Sequence, residues 1–122
     1  MSDKTRENWE RVDPALRQKC IVQLRTLPDD IKADLTRVIQ EHPNDWYAQD
    51  MTPLAERKRI KAEYGFYIPD VFHFNLGMGI RNYLRDVVRD DELPFVEYEG
   101  GHSYQNWDDF YTAAIEDALK TD

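Results

Sequence analysis

Between residues 72 and 88, apolar side chains return at helical spacing more persistently than anywhere else in the chain. Phe72, Leu76, Ile80, Tyr83, Leu84 and Val87 share one face, and Val71, Phe74 and Val88 widen it. A stripe this broad has to be covered by other helices, so a helix over about 70 to 88 is expected at the centre of the molecule. The rest of the chain must supply its cover.

Proline and glycine mark where that cover begins and ends. Asp13-Pro14 is an N-cap followed by proline in the first helical position, and Leu16, Cys20, Ile21 and Leu24 then recur on one face, which predicts a helix over 14–25. Pro28 opens the next, with Asp29 and Asp30 at the positive end of its dipole and Ile31, Leu35, Val38 and Ile39 as its stripe, ending near His42. The join Arg25-Thr26-Leu27 is short enough to force an antiparallel or steeply crossed hairpin. Thr52-Pro53 repeats the cap-then-proline signal for a helix to about Tyr64, with Gly65 as a left-handed end; its face is charged rather than apolar.

Asn106 caps a last helix, with Asp109 as the return half of a capping box and Trp107, Phe110, Tyr111, Ala114, Ala118 and Leu119 as the buried stripe. Residues 3–11 read as a short frayed helix that docks Trp9 and Val12, and 43–51 as a loop that plants Trp46 and Tyr47. Between Pro94 and Gly100-Gly101, Val96 and Tyr98 alternate with Glu97 and Glu99. This is either a short strand, with Phe66-Tyr67-Ile68 as a candidate partner, or an extended loop. The fold class expected is all-α: one mainly helical domain over residues 1–122, with five to six helices and room for a short two-stranded ribbon.

With 122 residues, 41% of them hydrophobic, the chain can bury a core without disulfides. Its one cysteine, Cys20, lies in the apolar run CIVQL and reads as core packing. No window approaches the roughly 18 apolar residues of a membrane span, and the opening MSDKTREN lacks a signal-type stretch, so the cytoplasm is the expected compartment. The net charge of −8 is polarised: residues 1–62 hold twelve Lys/Arg against eleven Asp/Glu, and 63–122 hold four against thirteen. An acidic half of this kind repels nucleic acid and is drawn toward basic surfaces.

Little in the sequence carries chemistry. NLGMGIRN, residues 75–82, has two glycines but lacks the spacing and the Lys-Ser/Thr pair of a phosphate loop, so Gly77 and Gly79 read as positions where another helix approaches the backbone. His42, His73 and His102 are scattered and none has a Cys or His at ligand spacing; no metal site and no cofactor are expected. Arg81 falls within a turn of the core positions Ile80 and Leu84 and needs a carboxylate, for which Asp108 and Asp109 at the start of the last helix are the natural source. An ion pair that fixes a helix crossing is the leading reading, ahead of a substrate contact.

The pattern FHFNLGMGIRNYL, 72–84, followed by NWDDFYTAAIEDAL, 106–119, resembles an uncharacterised family of short bacterial and phage-borne proteins with an LGxxIRN helix and a later double-aspartate helix. The matching positions are Leu76, Gly77, Ile80, Arg81, Asn82, Asp108, Asp109 and Ile115, all in the C-terminal half. The resemblance implies no activity. It agrees with Arg81 and Asp109 as fold determinants.

Three functions compete. The first is a non-enzymatic interaction module, an inhibitor or adaptor of the anti-defence or immunity type, docking Asp90, Asp91, Glu92, Phe95, Glu97, Tyr98 and Glu99 on a protein with a basic surface; carboxylates standing in for phosphates would make it a nucleic-acid mimic. The second is a small-ligand or nucleotide binder or enzyme using Arg81, His73 and Asn75. The third is a nucleic-acid module using RKRIK, residues 57–61, with Tyr64 and Tyr67; the acidic net charge disfavours direct nucleic-acid binding. No membrane partner is expected, and self-association stays open.

Overall fold

A computed structural model describes residues 3–69 and 72–119. Its helices are α1 (Asp3–Glu10), α2 (Pro14–Leu24), α3 (Asp29–Glu41), α4 (Leu54–Tyr64), α5 (Leu76–Arg85) and α6 (Tyr111–Leu119), and a two-stranded antiparallel ribbon pairs β1 (Val96–Glu97) with β2 (Ser103–Tyr104). The protein is mainly all-α. No helix among the described residues is long and apolar enough to cross a membrane.

The boundaries follow local chemistry. The Asp13 carboxylate accepts the Ala15 N–H at 2.8 Å, and Pro14 occupies the first turn of α2, where it forfeits no helical hydrogen bond. Glycine closes α4, since Gly65 takes φ 82° and its N–H returns to the Lys61 carbonyl at 2.8 Å. Thr52 does not cap α4; its own N–H is received by the Asp50 carboxylate at 2.9 Å.

The centre of the molecule is α6 rather than a helix over 70–88. Tyr111 through Ile115 and Ala118 are all buried, and α6 packs against α1, α2 and α3. Three alanines, Ala113, Ala114 and Ala118, let neighbours approach it from several sides. The stripe over 72–88 is divided: a single 3₁₀ turn at Phe72–Phe74, a break at Asn75 (φ −118°, ψ −101°), then α5. Gly77 makes the break feasible, because a Cβ there would stand 2.7 Å from the Phe72 carbonyl oxygen and 3.2 Å from the Tyr111 hydroxyl. Gly79, by contrast, faces open space. Val71 and the side chain of Phe74 lie outside the described residues.

The last helix is divided as well. Asn106 caps the Asp108 N–H at 2.8 Å and starts a 3₁₀ turn at Trp107–Asp109, and Phe110 (φ −132°) separates this turn from α6. The ribbon also departs from expectation: β1 pairs with β2, Val96 opposite Tyr104, and not with Phe66-Tyr67-Ile68. Gly100 and Gly101, at φ 92° and 83°, reverse the chain within a few residues, and a local turn closes at lower entropic cost than pairing with the distant Phe66-Tyr67-Ile68 segment.

Three tryptophans, each fully buried, fasten the surroundings to this centre, and each indole N–H has an acceptor. Trp9 donates to Asp117 at 2.7 Å, Trp46 to Glu116 at 3.0 Å, and Trp107 to the Val88 carbonyl at 2.9 Å. Arg6 bridges the same two carboxylates at 2.8 and 3.1 Å. One turn of α6 thus anchors both α1 and the 3₁₀ turn Trp46–Ala48, which forms within the segment expected to be a loop.

Candidate functional site

Two polar assemblies meet at the 3₁₀ turn Trp107–Asp109. The inner one surrounds Arg81 on α5, only 5% exposed. Its Nε forms an ion pair with Asp108 Oδ1 at 2.9 Å, its Nη1 lies 3.1 Å from His73 Nδ1, and its guanidinium carbon sits 4.8 Å over the Tyr111 ring. The Tyr111 hydroxyl is 2.7 Å from the same His73 nitrogen. With a guanidinium and a phenol both directed at Nδ1, that atom acts as the acceptor and the imidazole is neutral. Burial, and then the adjacent Arg81 charge, hold the His73 pKa below its ordinary value, with Asp108 opposing; burial pushes Tyr111 up to about 12.

The outer assembly is the β1–β2 hairpin. Val96 is buried beneath it, Arg11 holds the Phe95 carbonyl at 2.9 Å, and Gln105 holds the Leu93 carbonyl at 2.7 Å. The Tyr98 hydroxyl donates to the Asp109 carboxylate, and burial together with that bond raises the Tyr98 pKa to about 12. The two adjacent aspartates therefore divide their work. Asp108 takes Arg81 from the core, and Asp109 takes Tyr98 from the hairpin instead of sharing Arg81 or closing a capping box.

Above this anchoring, Phe95, Tyr98 and Tyr104 are 57%, 38% and 50% exposed. The Tyr98 and Tyr104 rings lie 5.2 Å apart, and a groove of about 440 Å³ runs beside Phe95 toward Lys4, Asn8 and Arg11 of the α1 side. Glu97 and Glu99 are exposed and form no ion pair among the described residues. The acids before the hairpin are occupied: Asp90 takes Arg85 at 2.7 Å, Asp91 pairs with Arg89 at 3.3 Å, and Glu92 accepts the Arg89 N–H at 2.7 Å. Of the seven residues expected to form an acidic docking face, four (Phe95, Glu97, Tyr98 and Glu99) gather on the hairpin, while Asp90, Asp91 and Glu92 are engaged in a local ring of pairs.

Asn75 is exposed at the start of α5 and makes no side-chain cap. RKRIK lies on α4, where Arg59 bridges Glu56 and Glu63 and Arg57 is taken up by Asp50, leaving Lys58 and Lys61 as its cations without an ion pair among the described residues. Cys20 is buried, and burial raises its thiol pKa to about 12. Tyr104 and Tyr111 were not legible as site residues. Serine and tyrosine after the glycine pair gave the only sign of Tyr104, and Tyr111 sits in a stripe that reads as plain core. Compared with known proteins, the chain matches no family model, no curated protein and no solved structure.

Proposed function

We propose that the protein is a non-enzymatic interaction module, an inhibitor or adaptor that docks its hairpin face, residues 95–104, on a basic surface of a protein partner. The observation that carries this reading is the pairing of exposed Phe95, Tyr98 and Tyr104 with a strand fixed from below by Val96, Asp109 and Arg11. Aromatic anchors held in place before binding lose little freedom on docking, which is how a small surface reaches useful affinity. Glu97 and Glu99, exposed and without an ion pair among the described residues, select for a basic surface and steer the encounter.

A small-ligand or enzymatic reading around Arg81 is weaker. A substrate would have to displace Asp108 or Tyr111 from a guanidinium already committed to both. Nucleic-acid mimicry is weaker as well, since beside the hairpin Asp90 and Asp91 are paired with Arg85 and Arg89 and do not extend the carboxylates of Glu97 and Glu99 into a phosphate-like row.

The test is capture from nuclease-treated lysate of the natural host, or of the cell that a phage carrier infects, with the wild type beside Glu97→Lys/Glu99→Lys and Phe95→Ala. A basic protein retained in stoichiometric amount by the wild type and lost by both variants is the expected result. Retention that is indifferent to the variants would remove the hairpin from the interface, and capture of nothing would remove the interaction reading itself.

A further inference from the structure

The segment from Asp50 to Tyr67 leaves the body and returns to it at one clasp. The Tyr67 hydroxyl donates to the Asp50 carboxylate, Arg57 donates to the Asp50 carbonyl at 2.8 Å, and the Arg57 guanidinium lies 5.9 Å from the Tyr67 ring. Beyond the clasp, α4 buries none of its residues. Leu54, Tyr64, Phe66 and Ile68 are 65%, 62%, 60% and 70% exposed. Single exposed apolar residues are ordinary, but these are concentrated. Of the nine large apolar side chains exposed among the described residues, four lie on this arm, taken with Ile68 next to its clasp as residues 54–68, and three on the hairpin, so neither surface is covered by the other within one chain.

The two surfaces also match in charge. Residues 53–69 hold four cations against two carboxylates in a chain of net charge −8. On the arm, Lys58 and Lys61 are exposed and form no ion pair among the described residues; on the hairpin the same is true of Glu97 and Glu99. The arm thus combines exposed cations with exposed apolar side chains, and the hairpin combines exposed carboxylates with exposed aromatics, a complementary pair of compositions.

We infer that a second copy of this chain occupies the hairpin face, the arm 54–68 of each protomer lying on residues 95–104 of the other. This rests on the hairpin being a docking face, and it names the chain's own arm as the basic surface that docks there. The exchange is reciprocal in this inference: a one-way contact of unlike surfaces builds rings or open filaments, whereas mutual exchange closes as a two-fold dimer. A foreign basic partner would then compete with the arm for the same aromatics.

The experiment is sedimentation equilibrium of the full chain from about 1 µM to about 1 mM, a span that detects dissociation constants of ordinary transient dimers. The mass should move from 14.5 kDa toward twice that value as concentration rises. Lys58→Glu/Lys61→Glu and Glu97→Lys/Glu99→Lys should each weaken dimerisation at least about tenfold. An equimolar mixture of the two variants should restore it, since the reversed arm of one meets the reversed hairpin of the other. Circular dichroism should show all forms equally folded, because all four positions are exposed and none holds an ion pair among the described residues. A single-chain mass throughout, or a dimer indifferent to both reversals, or a mixture that stays apart, each overturns the inference. Binding of a single-stranded RNA probe lost on Lys58→Glu/Lys61→Glu, with a single-chain mass throughout, would assign the arm to nucleic acid instead. A monomeric wild type whose capture of a foreign basic protein is lost with Glu97→Lys/Glu99→Lys would overturn the dimer and leave the hairpin reading standing.

Discussion

Arg81 and Asp50 each hold an ion pair that ties segments of chain together, yet they sit at opposite extremes of the molecule. Around Arg81, partners from the Phe72–Phe74 turn, the Trp107–Asp109 turn and α6 converge in the core. Around Asp50, a similar set of a carboxylate, an arginine and a tyrosine closes the base of an arm whose outer residues are all left to solvent or partly so. The first arrangement spends polar groups inside, where each must be satisfied, and so specifies one packing. The second leaves apolar groups outside, where the isolated fold gains nothing from them. On the proposal made above, contact with another molecule is the use of such groups.

If that contrast is right, substitutions should separate by region. The largest loss is expected at Trp107, fully buried with its indole N–H on Val88: Trp107→Ala should cost about 3–5 kcal/mol in urea melts. Next comes an asymmetry within the Arg81 pair, whose side chains are 6% and 49% exposed. Asp108→Ala strands a buried guanidinium and should cost about 3 kcal/mol, whereas Arg81→Met leaves a hydrated carboxylate and should cost roughly half as much. Equal costs would mean that the pair is not buried in the sense argued.

A smaller effect should appear with pH. The His73 pKa is depressed by burial and by Arg81, so below the ordinary histidine value of about 6.5 the unfolded chain binds the proton more readily than the folded one. The stability this group contributes is complete above about pH 6.5 and is lost as pH falls through its lower folded value. His73→Gln should flatten the fall of stability below about pH 6.5, and an unchanged slope would remove His73 from the account. Smallest of all, Tyr64→Ser, Phe66→Ser and Ile68→Ser should each stay within about 0.5 kcal/mol of wild type in dilute solution.

The same contrast explains what could be read from sequence. Helix starts at Pro14 and Asp29 and the end at Gly65 were legible because a cap, a dipole and a left-handed residue act over one turn. The break at Asn75 was not, since it depends on Gly77 lying against the Phe72 carbonyl, a contact that periodicity does not register. The demand of Arg81 for a carboxylate was visible in its position on an apolar face. Which of two adjacent aspartates answers it was not, because the choice is made by Tyr98 arriving from the hairpin. The α4 sequence announced a charged face without a stripe, and only the fold makes plain that Leu54, Tyr64, Phe66 and Ile68 are left uncovered.

Hydrogen–deuterium exchange on the wild-type chain at low and high protein concentration tests the contrast most directly. Amides of α5 and α6 should be protected to the same degree at both concentrations, while those of 54–68 and 96–104 should exchange quickly in dilute protein and gain protection together as concentration rises. An arm as protected as α6 in dilute protein, or an arm and hairpin indifferent to concentration, would contradict the division of the molecule into a self-satisfied core and surfaces built for a second chain.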